Sequence, residues 1–195
     1  MEEKNKMKNL LRSKAALSTV VTTLIILVVS VLLATVVTFY AINVTTTRVQ
    51  EESLFLTKQH VWYNTSGEWA EAAIVIVNTG GKDVVLDKVT VRGQECPWGN
   101  VYFWRSNTET IVADLNVTEI ELTGTTHDMS TTFQYGTGSF EQATSDVTLK
   151  SGYTMVVYIK DPDSIGLNDV GITVGITAFT ANAQHYKECN VQAAQ

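Results

Sequence analysis

Between Lys14 and Arg48 the chain has no charge, no glycine and no proline. Without charges the stretch has no polar face for water, and without helix breakers nothing interrupts a helix. Basic residues are scarce elsewhere too. Residues 1–15 hold Lys4, Lys6, Lys8, Arg12 and Lys14 against Glu2 and Glu3, while the remainder carries nine basic and eighteen acidic residues. An acidic body with no clustered Lys and Arg argues against a nucleic-acid partner. A basic head on an acidic body instead predicts a positive-inside topology, with the head in the cytoplasm and the body outside.

Motifs of catalysis and of metal binding are missing as well. His60, His127 and His185 are scattered, and none begins a ligand pair at metal spacing. The stretch DPDSIGLND (161–169) has Ile165 where a calcium loop needs Asp or Asn, and reads as an acidic turn. YGTGSF (135–140) lacks the third glycine of a dinucleotide loop, and no Ser, Thr or Cys sits in a nucleophile elbow. The expectation is a protein without catalytic residues, metal or cofactor.

What is present begins with the membrane-length run. Of residues 20–42, 18 of 23 are apolar, and the exceptions (Thr22, Thr23, Ser30, Thr35, Thr38) can bond back to their own helix. About 20 apolar residues span a bilayer. Phe39-Tyr40-Ala41-Ile42 is too bulky to be a conventional signal-peptidase site. Arg48, Glu51, Glu52 and Lys58 form a polar surface beside Val49, Phe55 and Leu56, which predicts that the helix continues to about Thr57.

After Gln59 the texture becomes short strands rich in Val, Ile and Thr. Residues 69–93 read as two strands around the turn Asn78-Thr79-Gly80-Gly81. Residues 100–105, 153–161 and 171–186 supply three more. The fold class expected is α+β, a long N-terminal helix followed by an immunoglobulin-like β-sandwich head. Residues 123–145, rich in Ser, Thr and Gly, read as a long exposed loop or a ragged edge. The aromatics Trp62, Tyr63, Trp69, Trp98, Tyr102, Phe103 and Trp104 read as core rather than as a ligand platform. Two cysteines, Cys96 and Cys189, in a domain expected outside the cell predict a disulfide, within one head or between neighbours. Three sequons are candidate N-glycosylation sites: Asn43-Val44-Thr45, Asn64-Thr65-Ser66 and Asn116-Val117-Thr118.

The opening residues add a family resemblance. A basic leader, then Lys14-Ala15 directly before Ala16-Leu17-Ser18 and an unbroken apolar helix, resembles the class III signal of archaeal type IV pilins. The strand-turn IVIVNTGG (74–81) resembles those of archaeal pilin heads. The resemblance implies cleavage between Ala15 and Ala16 by a prepilin peptidase, with Lys14 marking the site. It thus divides the chain into a signal peptide (1–15), a membrane and filament-core helix (16–58) and an extracellular head (59–195). It further implies partners: identical subunits in a helical homopolymer, an assembly ATPase with its membrane platform protein, and the cell membrane before assembly. The product would be an adhesion filament at the archaeal cell surface. Bacterial pilins carry Glu at the fifth mature position, where this chain has Val20. Archaellins, which build motility filaments, usually begin with glycines that are absent here. A membrane-anchored binding protein that does not polymerise is the alternative from another class.

Overall fold

The computed structural model describes residues 2–49, 51–119, 121–124, 126–128 and 139–194. Of residues 2, 4, 6–16, 48, 49 and 126–128 it describes the backbone course alone. The chain divides into two compact units, Met1–Arg48 and Val49–Gln195.

The first unit is one helix, α1 (Glu2–Val49), of 48 residues, about 72 Å long at 1.5 Å per residue. Its segment Leu17–Thr47 has a mean hydropathy of 2.9 and is long and apolar enough to cross a membrane.

The second unit contains eleven strands: β1 (Leu54–Asn64), β2 (Trp69–Asn78), β3 (Val84–Val91), β4 (Gln94–Glu95), β5 (Val101–Ser106), β6 (Thr126–Asp128), β7 (Ser139–Gln142), β8 (Val147–Leu149), β9 (Thr154–Lys160), β10 (Thr173–Thr180) and β11 (Gln184–Ala194). One layer runs β1-β2-β9-β5 and continues to β7 and β6; the other runs β11-β10-β3, with β4 and β8 on β3. Four strands against three, in this order, is the arrangement of an immunoglobulin-type sandwich. The long helix and β-rich head are thus as expected from the sequence. β11 belongs to both layers. Its first part pairs antiparallel with β10, and Val191 to Ala194 then pair parallel with Val61 to Asn64 of β1.

Three strand expectations need correction. The helix does not reach Thr57: it ends at Val49, and residues 54–64 form β1. The strand wins because Leu54 to Thr57 and His60 to Asn64 find ladder partners on β2, burying Leu56, Val61 and Trp62. Phe55, assigned to the helical stripe, stands exposed. The boundary between helix and head therefore falls near residue 49 rather than 58. Residues 171–186 are not one strand but β10, a turn and the start of β11. Of the two readings of 123–145 the loop gives way to the edge: β6 and β7 end the layer, and β7 places Phe140 fully inside the core; residues 125 and 129–138 lie outside the described ones.

β1 carries a bulge that aligns it with two cores. Thr57 faces Val75 and His60 faces Ala73, so Lys58 and Gln59 together oppose one residue of β2. Lys58 takes a left-handed φ of 52° there. The extra residue shifts the alternation, so that Leu56 and Val61, five apart, face the same interior.

β2 is buried on both faces, which accounts for its near-continuous apolar run. Ala72, Ile74 and Ile76 enter the core between the layers with Leu86, Val157, Ile159 and Ile176. Ala73 and Val75 enter a second core on the outer side of β2 and β9, with Trp62, Tyr102, Trp104, Phe140 and Tyr158. Ile111, Leu115 and Leu122, from the long connection after β5, roof this second core.

At the end of β2, the buried Asn78 organises the turn. Its amide donates to the carbonyls of Lys82 (2.8 Å) and Leu149 (3.1 Å), and its Oδ1 accepts the Gly80 N–H (3.0 Å). Residues 51–53 thread against this turn. The Ser53 carbonyl accepts the N–H groups of Thr79 (2.9 Å) and Gly80 (3.0 Å). A Cβ on Gly80 would lie 2.8 Å from both the Glu51 carbonyl and the Ser53 nitrogen, so only glycine fits. Gly80→Ala is expected to destabilise the head by about 1–3 kcal/mol, the usual cost of overpacking, measured as a lowered melting temperature of the full chain in detergent.

Candidate functional site

The longest exposed apolar surface among the described residues is that of α1. Side chains from Leu17 to Thr47 are exposed throughout, eighteen large apolar ones among them. The run Leu24-Ile25-Ile26-Leu27-Val28-Val29 covers every direction around the axis, since six consecutive residues exceed one helical turn. The polar side chains spoil none of this. Thr22 donates to Ser18 O (2.9 Å), Thr23 to Val20 O (2.9 Å), Ser30 to Ile26 O (2.7 Å), Thr35 to Val31 O (2.8 Å) and Thr38 to Ala34 O (2.7 Å). Each hydroxyl is spent on its own helix, and the outer surface offers only apolar contact. A helix apolar all round is stable in lipid or in the core of an assembly, not in water.

The cleavage candidates Lys14, Ala15 and Ala16 lie on the helical backbone of α1, and their side chains are outside the described ones. Asn43 also lies in α1, where its amide donates to Phe39 O at 3.2 Å. Asn64 ends β1, and its Oδ1 accepts the N–H groups of Ser66 (2.9 Å) and Gly67 (2.8 Å) in the β1–β2 turn. Asn116 is exposed, in the connection between β5 and β6. Six of the seven aromatics belong to the cores; Trp69, half-buried at the start of β2, is in neither. Trp62, Tyr102 and Trp104 are buried in the outer one, and Tyr63, Trp98 and Phe103 pack against the inner one.

Within one head Cys96 and Cys189 are not joined: both are free thiols, which corrects the disulfide expected inside the chain. The sheet explains why. Cys96 follows β4 and still donates its N–H to Val89 on β3, whereas Cys189 lies on β11, with β3 and β10 between them. Three interstrand steps of about 4.8 Å put them roughly 14 Å apart, twice the Cα separation a disulfide tolerates. Burial pushes the Cys96 and Cys189 thiols each up to about 11.

Two polar devices escaped the sequence reading. The first holds the connection 107–124 down as a strap. Lys58 donates to the carbonyls of Val112 and Ala113, and His60 Nε2 meets Asp114 Oδ1 at 2.9 Å. Tyr158 donates to Asn116 O (2.9 Å), Tyr102 to Gly124 O (2.9 Å), and Lys160 pairs with Glu121 (2.8 Å). At the centre, the buried Glu71 Oε2 accepts both the N–H (2.9 Å) and the hydroxyl (3.1 Å) of Thr118, while Oε1 has no partner among the described residues. Burial pushes the Glu71 carboxyl up to about 8, against the opposing effect of the two Thr118 bonds. Sheet side chains from β1, β2, β5 and β9 thus all reach the same strap. Only the burial of Glu71 in the alternation of β2 could have signalled it in sequence.

The second device holds the stretch between α1 and β1. Glu52 Oε1 accepts the Thr180 hydroxyl, Oε2 accepts the Asn182 amide (3.1 Å), and His185 Nε2 stands 3.5 Å from Oε1. Burial pushes this carboxyl up, but the three partners outweigh it and its pKa falls below the ordinary value. Glu52 is therefore ionised and gripped by the β10–β11 turn, not displayed on a helix.

Among the described residues no group of three His, Cys, Asp or Glu side chains is placed to hold a metal ion. No protein-family model matches the chain, and no curated protein matches it. Among solved structures, a copper-bound PCuAC domain from PmoF2 aligns over 74% of this chain and 100% of its own, at 15% identity and a TM-score of 0.34. A likeness that weak transfers nothing to this chain.

Two measurements check this geometry. Unfolded without reductant, the protein is expected to release two titratable thiols per chain; none would restore the disulfide. For Glu71, the folded pKa of about 8 lies above the unfolded 4.5. The stability it supplies is complete below pH 4.5 and drains away as pH rises toward 8, by up to about 1 kcal/mol per pH unit. Urea unfolding at pH 5 and pH 8 should show this decline in wild type and not in Glu71→Gln.

Proposed function

We propose that the chain is a structural filament subunit, an archaeal type IV pilin of the adhesion type. Its α1, once the leader is removed, becomes the core of a cell-surface homopolymer. The observation that carries this reading is the all-round apolar surface of Leu17–Thr47, with every Ser and Thr hydroxyl from 22 to 38 turned back onto the helix. Such a rod is equally content in lipid and among copies of itself. The precursor waits in the membrane with its basic leader in the cytoplasm. Cleavage between Ala15 and Ala16 removes all five basic residues ahead of the apolar run. The gain on assembly is then packing of helix against helix, because the surface leaving lipid is already apolar. An uncleaved leader would carry its charges against a dry bundle, at several kcal/mol for each one desolvated.

Assembly would engage the peptidase, the ATPase and the platform protein that the family uses. The head, acidic and without a catalytic motif, would form the outer surface. The grip of Glu52 and Ser53 suits this role, because any load between filament core and head passes through residues 51–53.

The N-terminal mass of the surface protein tests the proposal. Sheared filaments whose subunit starts at Ala16 are the expected result. A subunit that starts at Met1 and stays monomeric would instead be the anchored binding protein. Lys14→Ala and Ala15→Phe should leave unprocessed protein in the membrane and no filaments; normal filaments from either variant would sink the assignment.

A further inference from the structure

The sequons Asn64-Thr65-Ser66 and Asn116-Val117-Thr118 look equivalent in sequence, but the fold treats them differently. Transfer to a sequon joins Asn Nδ2 to the anomeric carbon of a polyprenyl-phosphate-linked oligosaccharide. The anomeric C–O bond breaks, the lipid phosphate leaves with its electron pair, and one amide proton is released. The motif demands a hydroxyl two residues on, so the enzyme must reach that residue as well as the asparagine.

At Asn116 it cannot. Thr118 is 1% exposed, and both its hydroxyl and its N–H are held by Glu71 Oε2 at 3.1 and 2.9 Å. The Asn116 carbonyl is tied to the Tyr158 hydroxyl (2.9 Å), and the flanking Leu115 and Val117 pack into the outer core. The asparagine is displayed while the rest of its sequon is locked beneath it. Lifting Thr118 out would strand a buried Glu71 and open the roof of that core. At Asn64 the hydroxyl residue of the sequon is open instead: Thr65, Ser66, Gly67 and Glu68 are all exposed, while Asn64 itself is half-buried and its Oδ1 accepts the N–H groups of Ser66 and Gly67.

We infer that the folded head accepts an N-linked glycan at Asn64, and that the Glu71–Thr118 lock withdraws Asn116 from modification once the strap has closed. Asn116 is then open only to a transferase that arrives before folding. In the cell this inference rests on the head facing outside, as the proposed function requires; a reaction with purified components removes that dependence.

The full chain in detergent micelles is incubated with a purified oligosaccharyltransferase and its polyprenyl-phosphate-linked glycan. Peptides covering 60–70 and 112–122 serve as unfolded acceptors, and occupancy is read per site by glycopeptide mass spectrometry. Both peptides are expected to be modified at similar rates. In the folded chain Asn64 should be modified, while Asn116 falls behind its own peptide by about tenfold or more, since it reacts only through local opening. Glu71→Ala or the milder Tyr158→Phe should raise the rate at Asn116 and leave Asn64 unchanged. Ser66→Ala should abolish modification at Asn64 alone. Equal rates at the two sites in the folded chain would overturn the inference. So would refusal of the 112–122 peptide, an unmodified Asn64, or a silent Asn116 in both strap variants.

Discussion

Everything in the head depends on the burial of β2 from both sides. A strand covered on one face needs one partner layer; this one needs two. Its even-numbered residues Ala72, Ile74 and Ile76 draw in the β3, β10 and β11 layer, and so create the sandwich. Its odd-numbered residues Ala73 and Val75 require a second cover, and the strap of 107–124 supplies it with Ile111, Leu115 and Leu122. The two ends of the same strand set the polar fixings: Glu71 holds the strap through Thr118, and Asn78 shapes the turn against which residues 51–53 run.

The two buried carboxylates show how local surroundings decide the charge of one residue type. Glu52 accepts hydrogen bonds from Thr180 and Asn182, has His185 3.5 Å away and stays ionised in spite of burial. Glu71 receives both its hydrogen bonds on one oxygen, and desolvation holds it protonated through neutral pH. A protonated acid in an apolar layer costs less than a naked charge. Glu71 can therefore sit among Trp62, Tyr102 and Tyr158 without a cation, although Lys160 is its cross-strand neighbour. Lys160 instead faces outward to Glu121 on the strap.

α1 obeys a simpler rule. Among the described residues its surface from Leu17 to Thr47 is exposed, and the hydroxyls of Thr22, Thr23, Ser30, Thr35 and Thr38 are consumed by the backbone turn beneath them. What remains is a rod without charge and with a mainly apolar surface. The pilin reading turns that lack into a mechanism: before cleavage the surface is shared with lipid, and after it with identical rods. Within the head, residues 52 and 53 are hydrogen-bonded into the sandwich ahead of β1.

The helix and the class of the head were legible because each rests on local pattern. A mainly apolar run from Leu17 to Thr47 without charge, glycine or proline carries a helix by itself. Runs such as WAEAAIVIVN and YTMVVYIK carry their own strand preference. The stretch 54–57 reads as helix in sequence because Phe55 and Leu56 suit a helical stripe as well as a strand. Pairing with β2, distant in sequence, settled it. The cysteines misled for a related reason: their number and the expected compartment are written in the chain, but the three strand spacings between them are not. The strap, the Glu52 grip and the unequal sequons were likewise invisible, because each depends on which side chain a strand turns inward. Sequence by itself therefore determined the apolar rod, the basic N-terminal residues and a β-rich head, since periodicity and charge are properties of neighbours along the chain. Only the tertiary structure decided where the helix ends, that the thiols stay apart and that Thr118 lies locked beneath Asn116, because long-range pairing and burial belong to residues far apart in sequence.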